Sequence, residues 1–427
     1  MRILSSKLRN FSKTLETLLL KRKAKVQISS VSVTKIINDV KKNGDGALLK
    51  YEKKFNHNKI IKPNQKNIIK SVKSLDLKVK KAIDIAYSRI YKFHSLQKFK
   101  NISYTDSFNN KLEYKYLPIE SVAIYVPGST ASYPSSVLMN AIPAIVAGVK
   151  RIIMLNPGYK GKLNPAVLYA AKKCKINEIY SIGGPSAIAA VAYGTKKINK
   201  VSKIVGPGNI YVAAAKKEVF GDVGVEGMIA GPSEVTVVGD RFSNPEWIAS
   251  DLIGQAEHDE LAQCILISKS KDLIKKVKIE ILKQLKKIPR RSIAKKSLME
   301  NGILIHISSD KEIIKVVNRI APEHLELNVK NHKSFINKIK NAGSICLGKY
   351  AVMAMTDYNI GSNHILPTNG SAKFSSGISV NEFYKRISYI NLSKKGIEKL
   401  GPSVITLANY EGLVAHAKSV KKRIRRK

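Results

Sequence analysis

Short apolar runs alternate with helix-patterned segments through the middle of the chain. The runs lie at residues 121–126, 151–155, 178–182, 203–205, 234–238, 264–267, 303–307 and 344–347. Strands that alternate with helices, several of them ending at Gly or Pro, are typical of a parallel sheet covered on both faces. Because the alternation resumes after Gly231, the pattern predicts two consecutive open α/β modules.

Helical patterns dominate both ends of the chain. Residues 1–24 are predicted to form a short helical segment, and residues 31–55 and 62–96 are also helical, with a break at Gly44 and Gly46. After about residue 374 no further strand is predicted, and helices run to a basic tail. The fold class is therefore α/β, with two parallel sheets and helical segments at each end.

The formal charge of +44 on 427 residues invites comparison with nucleic-acid-binding proteins. Lysine is spread along the whole chain, however, and basic clusters occur only at residues 21–25 and 421–427. Binding to a phosphate backbone usually needs a patch or stripe of charge, often with aromatic residues for stacking. We therefore expect no nucleic-acid partner.

Three cysteines far apart fit neither a disulfide framework nor a cysteine-based zinc site. No apolar run reaches the roughly 20 residues that span a membrane. The first residues also lack the apolar core of a secretory signal. These features predict a soluble cytoplasmic protein that does not associate with a membrane.

Glycine-rich turns follow several of the predicted strands, at residues 127–128, 183–184 and 206–208. Ligands of open parallel sheets bind where strands end and helices begin, so these turns are candidates for a dinucleotide or another phosphate ligand. The common Gly-x-Gly-x-x-Gly fingerprint is absent. That the glycines only form turns remains an equal alternative.

Gln255 and His258 are three residues apart in a helix-patterned segment, so they share one face of it. An amide oxygen and an imidazole on one face provide half of a small metal site. The alternative is that both belong to the solvated side of an amphipathic helix.

Three further polar segments lack an obvious structural role. Glu323 and His324 are adjacent after Pro322, which suits the first turn of a helix, and they can serve one pocket in proton transfer. Residues 356–368, with Asp357 and His364 inside, have the irregular pattern of a functional loop. His416 lies near the end of the chain. Together Gln255, His258, Asp357 and His416 would suit zinc, although spacing does not show that they converge.

Long motifs along the chain resemble those of the histidinol dehydrogenase family. They are Tyr125-Val-Pro-Gly128, residues 134–143, Gly206-Pro-Gly-Asn209, Ala230-Gly-Pro-Ser-Glu234, residues 251–259, Ala321-Pro-Glu-His-Leu-Glu326, Asp357-Tyr358, Asn363-His-Ile-Leu-Pro-Thr368 and Ala415-His416. The resemblance covers essentially the full length. It implies oxidation of L-histidinol to L-histidine, the last step of histidine biosynthesis, in two NAD-dependent hydride transfers through L-histidinaldehyde.

The resemblance also implies site residues. It assigns zinc to Gln255, His258, Asp357 and His416, and proton chemistry to Glu323 and His324. It adds Ser233, His324, Glu411 and the zinc ligands as substrate contacts, and places NAD against Tyr125, Ser186 and Asn209. It further implies a homodimer in which Glu411 and His416 complete the site of the neighbouring subunit.

The implied architecture is two incomplete Rossmann-like domains. Residues 25–124 and 236–375 would form the first, which carries most of the metal and substrate site. Residues 125–235 would form the second, which binds NAD. Residues 1–24 and 376–427 would be helical segments, the latter exchanged between subunits.

The sequence departs from the family at three positions of interest, one of which is Thr356, where many members have glycine. Ser186 stands where the family has a glutamine credited with cofactor contact, and Ser129 replaces a common glycine. Two other functions are also consistent with the residues: a relative that oxidises a different amino alcohol, and a lysine-rich RNA-binding protein on an enzyme scaffold.

Overall fold

A computed structural model describes residues 1–25, 30–128, 132–158, 162–227 and 231–424. Ser129, Ala230 and residues 425–427 of the basic tail lie outside the described residues. The chain forms two compact units, one of Met1–Gln97 with Glu120–Glu382, the other of Lys98–Ile119 with Phe383–Lys427. None of the helices within the described ranges is long and apolar enough to cross a membrane.

The strands in chain order are β1 (Arg2–Ser5), β2 (Ile102–Thr105), β3 (Lys111–Pro118), β4 (Ser121–Tyr125), β5 (Arg151–Leu155), β6 (Glu178–Tyr180), β7 (Lys203–Val205), β8 (Gly224–Val225), β9 (Glu234–Gly239), β10 (Gln263–Ser268), β11 (Ile303–His306), β12 (His324–Asn328), β13 (Ser344–Leu347) and β14 (Tyr384–Asn391).

The α-helices in chain order are α1 (Phe11–Lys25), α2 (Ser30–Tyr51), α3 (Gln65–Lys73), α4 (Leu77–Ser95), α5 (Pro134–Ala147), α6 (Pro165–Lys173), α7 (Gly184–Tyr193), α8 (Ile210–Val219), α9 (Pro245–Ala256), α10 (Lys271–Gln284), α11 (Arg291–Asn301), α12 (Asp310–Ile320), α13 (Lys333–Ile336), α14 (Met353–Tyr358), α15 (Lys394–Tyr410) and α16 (Val414–Ile424). Single π or 3-10 turns lie at Glu52–Asn56, Leu285–Lys287, Ser371–Lys373 and Val380–Phe383.

The first unit contains two parallel sheets. One has the strand order β1-β11-β10-β9-β12-β13, and the other has the order β6-β5-β4-β7-β8. The predicted α/β class with two Rossmann-like parallel sheets is confirmed. Both sheets belong to one compact unit, so the proposed division into two domains stays a prediction.

Two strands of the first sheet were missed. The prediction of helix for residues 1–24 is right for α1 but wrong for Arg2–Ser5, which pair with β11. The prediction that Pro322 opens a helix is also wrong, because His324–Asn328 form β12 between β9 and β13. All five residues of β12 are buried, so its three polar side chains within an apolar sheet concealed the strand pattern.

Burial explains why β9 and β10 are mostly apolar. Every residue of both strands is buried, as expected where helices cover both faces of a sheet. Val235 and Val237 pack with α9, α10 and α11, whereas Val238 packs with α1 and α12 on the other face. Because alternate side chains of a strand lie on opposite faces of the sheet, this sheet has one hydrophobic core on each face.

Helix α2 packs against the second sheet. Residues 25–124 are assigned from the sequence to the first α/β domain, yet Val33 and Leu48 of α2 share a core with Ile153 and Ile188 of the second sheet and its helices. An apolar helix face shows that it is buried, but not against which sheet. The predicted break in α2 is present at Gly44, with a φ of +53°.

The second unit contains an antiparallel sheet of order β14-β3-β2, together with α15 and α16. The prediction that strands stop after about residue 374 is therefore wrong. Nearly all of β14 is exposed, so it carries no core pattern by which a strand is recognised from sequence. The two predicted C-terminal helices are present, and Gly401 of α15 lies against Val420 and Ile424 of α16.

Candidate active site

A cavity of about 500 Å³ lies in the first unit, between the two parallel sheets. Residues that follow β4 and β7 line one side of it, among them Pro127 and Asn209. The other side includes residues that precede β9 and β10, the pair at the start of β12, and residues between 357 and 368, which follow β13. Seven of the residues implied by the resemblance line this cavity, namely Asn209, Ser233, Gln255, His258, Glu323, His324 and Asp357.

Helix α9 brings Gln255 to the cavity. Asn244 caps its start by accepting hydrogen bonds from the amides of Glu246 and Trp247, and Pro245 occupies the first turn. Gln255 is 1% exposed, and its Oε1 has no hydrogen-bond partner among the described residues. A buried acceptor of this kind costs about 1–3 kcal/mol unless a ligand satisfies it.

The sequence pattern predicts that His258 lies within the helix, but the structure places it just beyond the end of α9. The helix ends at Ala256, and the amide of His258 donates to the carbonyl oxygen of Gln255 at 3.3 Å. His258 is accessible from the cavity, but desolvation by the surrounding protein lowers the pKa of its imidazole. The ring is therefore neutral near pH 7, the form that binds metal ions.

Glu323 and His324 lie side by side at the start of β12. Burial raises the pKa of the Glu323 carboxyl well above its ordinary value, and the neighbouring Glu234 and Asp357 add to the shift. Glu323 Oε2 accepts a hydrogen bond from the amide of Glu234 at 2.7 Å. This contact fixes the carboxyl group at the cavity wall.

His324 is the most enclosed imidazole of the site. Burial first, then the nearby His364 and His258, lower its pKa to about 3. Its Nε2 lies 3.6 Å from Asp357 Oδ1 and 4.0 Å from Glu323 Oε1, and these are polar contacts rather than ion pairs because the ring is neutral. Its Nδ1 has no partner among the described residues. A neutral imidazole has the free nitrogen lone pair that a proton acceptor requires.

Asp357 occupies the last turn of α14, so the prediction of an irregular loop is wrong for this residue. Burial raises the pKa of its carboxyl to about 7. Its carbonyl oxygen contacts His364 Nδ1 at 2.7 Å, and His364 Nε2 lies 3.3 Å from Ser136 Oγ. His364, the second side chain named in the predicted functional loop, thus lines the same cavity.

This unit has some, but not all, of the donor atoms that a divalent ion requires. Within the described ranges, no three His, Cys, Asp or Glu side chains are grouped as metal ligands. Gln255 adds an amide oxygen to the imidazole of His258 and the carboxyl of Asp357, and the free Oε1 of Gln255 has the chemistry of a ligand. These three would hold zinc in concert with one more donor.

Glu411 and His416 are both in the second unit. Glu411 follows α15, and His416 is on α16; both are exposed. Their predicted part in a shared site stays a prediction.

Two of the three predicted cofactor residues do not line the cavity. Tyr125 and Ser186 are buried at the start of α7, where the Tyr125 hydroxyl accepts from the amide of Gly184 at 3.1 Å. The Ser186 hydroxyl donates to the Gly183 carbonyl at 3.1 Å. Asn209 caps α8 and lines the cavity. The three assignments stay predictions.

Sequence reasoning missed Glu52, which is fully buried beside α7. Its carboxylate accepts a hydrogen bond from the amide of Gly183 at 2.9 Å, and burial raises its pKa. Glu52 therefore occupies the helix terminus where a phosphate group would otherwise find free amides. A glutamate inside a helical pattern gives no signal of this role.

Arg22 of α1 is a second missed residue. Its guanidinium forms a buried ion pair with Glu234 and donates to the carbonyl oxygens of Pro232 at 2.6 Å and Leu261 at 2.9 Å. These bonds hold the segment that contains Ser233 and leads into β9. The basic cluster at residues 21–25 is visible in the sequence, but the burial of Arg22 is not.

Two parallel α/β sheets with imidazoles and carboxyl groups in a cavity between them define an α/β enzyme built for acid–base chemistry. The family profile described as histidinol dehydrogenase matches residues 20–424. The chain therefore belongs to the histidinol dehydrogenase family, a family of oxidoreductases.

Similar proteins cover the chain almost completely. A histidinol dehydrogenase of Pelagibacter ubique (strain HTCC1062) is 80% identical over 426 residues, covering 100% of both chains. Histidinol dehydrogenase 1 of Nostoc sp. is 46% identical, covering 95% of this chain and 94% of its own. The crystal structure of histidinol dehydrogenase from Elizabethkingia anophelis matches with a TM-score of 0.91 at 35% identity, covering 99% of this chain and 98% of that one.

The buried position of Arg22 gives a test of its role. We expect Arg22→Met to lower the free energy of unfolding by about 3–5 kcal/mol, because Glu234 and two carbonyl groups lose their partner. Arg319→Met is the matched control, because Arg319 pairs with Glu16 at the surface and its loss costs about 0–1 kcal/mol. Urea denaturation measures both variants, and equal losses would contradict a structural role for the buried pair.

Proposed function

We propose that the chain oxidises L-histidinol to L-histidine through L-histidinaldehyde, in two NAD-linked steps assisted by zinc, as the last step of histidine biosynthesis. The observation that carries the proposal is one cavity in which Gln255, His258 and Asp357 meet the pair Glu323 and His324. Membership of the histidinol dehydrogenase family supports the same substrate. The buried, unpaired thiols of Cys174, Cys264 and Cys346 fit a cytoplasmic location.

Gln255, His258 and Asp357 would hold the zinc ion, with His416 as the fourth ligand. The ion supplies open coordination positions for the imidazole and amine of the substrate and so orients its alcohol carbon. The unpartnered Oε1 of Gln255 supports this assignment. In the absence of a cation, burial keeps Asp357 partly protonated, and a bound cation would favour its ionised form.

His324 would take the proton of the alcohol as the alcohol carbon loses a hydride. NAD⁺ would be the hydride acceptor, so that the products would be the aldehyde and NADH. Glu323, ionised when it acts as base, would remove a proton from water as the oxygen adds to the aldehyde. His324 would return the first proton to the carbonyl oxygen, which gives a hydrated carbon with two hydroxyl groups and leaves His324 neutral. His324 then takes a hydroxyl proton again as the second hydride leaves, and the acid forms. Ser233 and Glu411 would contact the substrate.

Glu323 and His324 are both at least nine-tenths buried, which favours retention of the reactive aldehyde between the steps. NAD⁺ would lie along the turns after β4 and β7, with Asn209 at the cavity wall. Tyr125 and Ser186 would act from behind that wall, since both are buried there. The serine in place of the family's glutamine predicts weaker cofactor binding.

We further propose a homodimer with shared sites. Glu411 and His416 are exposed, and exposed polar side chains with assigned roles are available to another subunit. The site of one subunit would then take these two residues from its partner. No nucleic-acid or membrane partner is part of the proposal.

The activity is tested by following NADH formation from L-histidinol. We expect turnover in the untreated protein, its loss after a strong chelator, and its return with added zinc. L-Histidinaldehyde as substrate should give half as much NADH per molecule, because only the second oxidation remains. Turnover that survives complete metal removal would contradict the zinc assignment, and absence of NADH with either substrate would contradict the function.

Sharing of sites is tested by mixing two inactive variants. His416→Asn should lose zinc, whereas His324→Asn should keep zinc and turn over about 10²–10⁴ times more slowly. Verified heterodimers of the two should regain about half of the wild-type rate, because one of the two sites is then intact. Heterodimers with no recovered activity would show that each site is built from one chain.

A further inference from the structure

A pair of acidic side chains behind the cavity wall has no part in the chemistry above. Asp251 is on α9, four residues before Gln255, so both extend from one face of the helix. Glu326 is on β12, two residues after His324, so both extend from one face of the sheet. The two carboxyl groups hydrogen-bond to each other, and Glu326 is 1% exposed.

The same glutamate also holds a third element. Glu326 Oε1 accepts a hydrogen bond from the amide of Met353 at 2.8 Å. Met353 is the first residue of α14, which carries Asp357 in its last turn. Glu326 therefore joins the helix with Gln255, the strand with His324 and the helix with Asp357.

Two carboxyl groups form a hydrogen bond only when one of them keeps its proton. Burial raises the pKa of both, and each neighbouring acid raises that of Glu326 further. The other titratable groups that face the pair are Asp357 on α14 and Cys346 on β13. Burial raises the pKa of the Cys346 thiol to about 12, so it brings no charge. A shared proton is the arrangement that satisfies both carboxyl groups.

We propose that Asp251 and Glu326 are a positioning pair that shares one proton and holds α9 and α14 against β12 in the arrangement that metal binding requires. The pair touches neither substrate nor metal and acts through Gln255 and Asp357. This inference rests on the proposed zinc site. Carboxylates that orient metal ligands from behind typically change affinity 10–100-fold when removed.

The test compares three variants in the full-length protein. Glu326→Leu removes the shared proton and the acceptor for Met353, so we expect zinc affinity, measured by competition with a chromogenic chelator, to fall 10–100-fold. Glu326→Gln keeps an acceptor and replaces the acid proton by an amide proton, so its affinity should stay within about threefold of wild type. Rescue by the isosteric amide distinguishes hydrogen bonding from a requirement for charge.

Glu226→Leu is the matched control for general loss of stability. Glu226 is also buried and is paired with Lys216 away from the cavity, so this variant should be destabilised but keep its zinc affinity. If Glu326→Leu binds zinc as tightly as wild type, the proposal is wrong. It is also wrong if Glu326→Gln lowers the number of zinc ions bound per chain, because the pair would then be a cation site.

A readout without metal separates this inference from the proposed function. In the zinc-free protein, amide hydrogen exchange across residues 353–358 should accelerate at least tenfold in Glu326→Leu and remain slow in Glu326→Gln and Glu226→Leu. Unchanged exchange in Glu326→Leu would refute the positioning role. A wild-type protein that binds no zinc but shows this exchange pattern would refute the metal assignment and leave the pair supported.

Discussion

Polar side chains around one cavity are withdrawn from water by the sheets and helices that carry them. Gln255 and His324 each have a polar atom without a partner in the described part of the chain, and the carboxyl of Glu323 is desolvated. Each such atom costs about 1–3 kcal/mol, which a folded chain retains only where something else gains from it. A cation and a substrate rich in nitrogen donors would satisfy these groups together. The chemistry proposed for the site depends on these buried groups that lack hydrogen-bond partners.

The location of the cavity explains how one fold supplies both halves of the chemistry. In the second sheet, the turns after β4 and β7 form the wall, at the carboxyl ends of the strands where ligands of open sheets usually bind. In the first sheet, Ser233 and His324 lie at the amino ends of β9 and β12. The side proposed to bind the cofactor thus obeys the general rule, and the side proposed to bind the metal does not.

Some strands of the two sheets could be predicted from the sequence, and others could not. Alternating runs gave the two parallel sheets because buried strands such as β10 have an unmistakable apolar pattern. The glycine-rich turns could be located because they directly follow predicted strands. The strand β12 escaped detection because His324 and Glu326 are polar side chains buried within it, and buried polarity has no local signature.

Long-range partners were equally invisible. Arg22 and Glu234 are far apart in the sequence, and Glu52 reaches α7 from a helix that looks solvated. Family motifs assigned the candidate site residues, since those motifs name positions without reference to contacts. The supporting residues had to come from the structure, because ion pairing and proton sharing depend on which elements pack together.

The most direct measurement is anomalous X-ray diffraction at the zinc edge from crystals grown with zinc and L-histidinol. The account predicts one strong peak in each cavity, bonded to Gln255 Oε1, His258 and Asp357 and contacting the imidazole and amine of the ligand. A zinc peak bonded to other residues, or a cavity in which these three donors point away from any common ion, would contradict it.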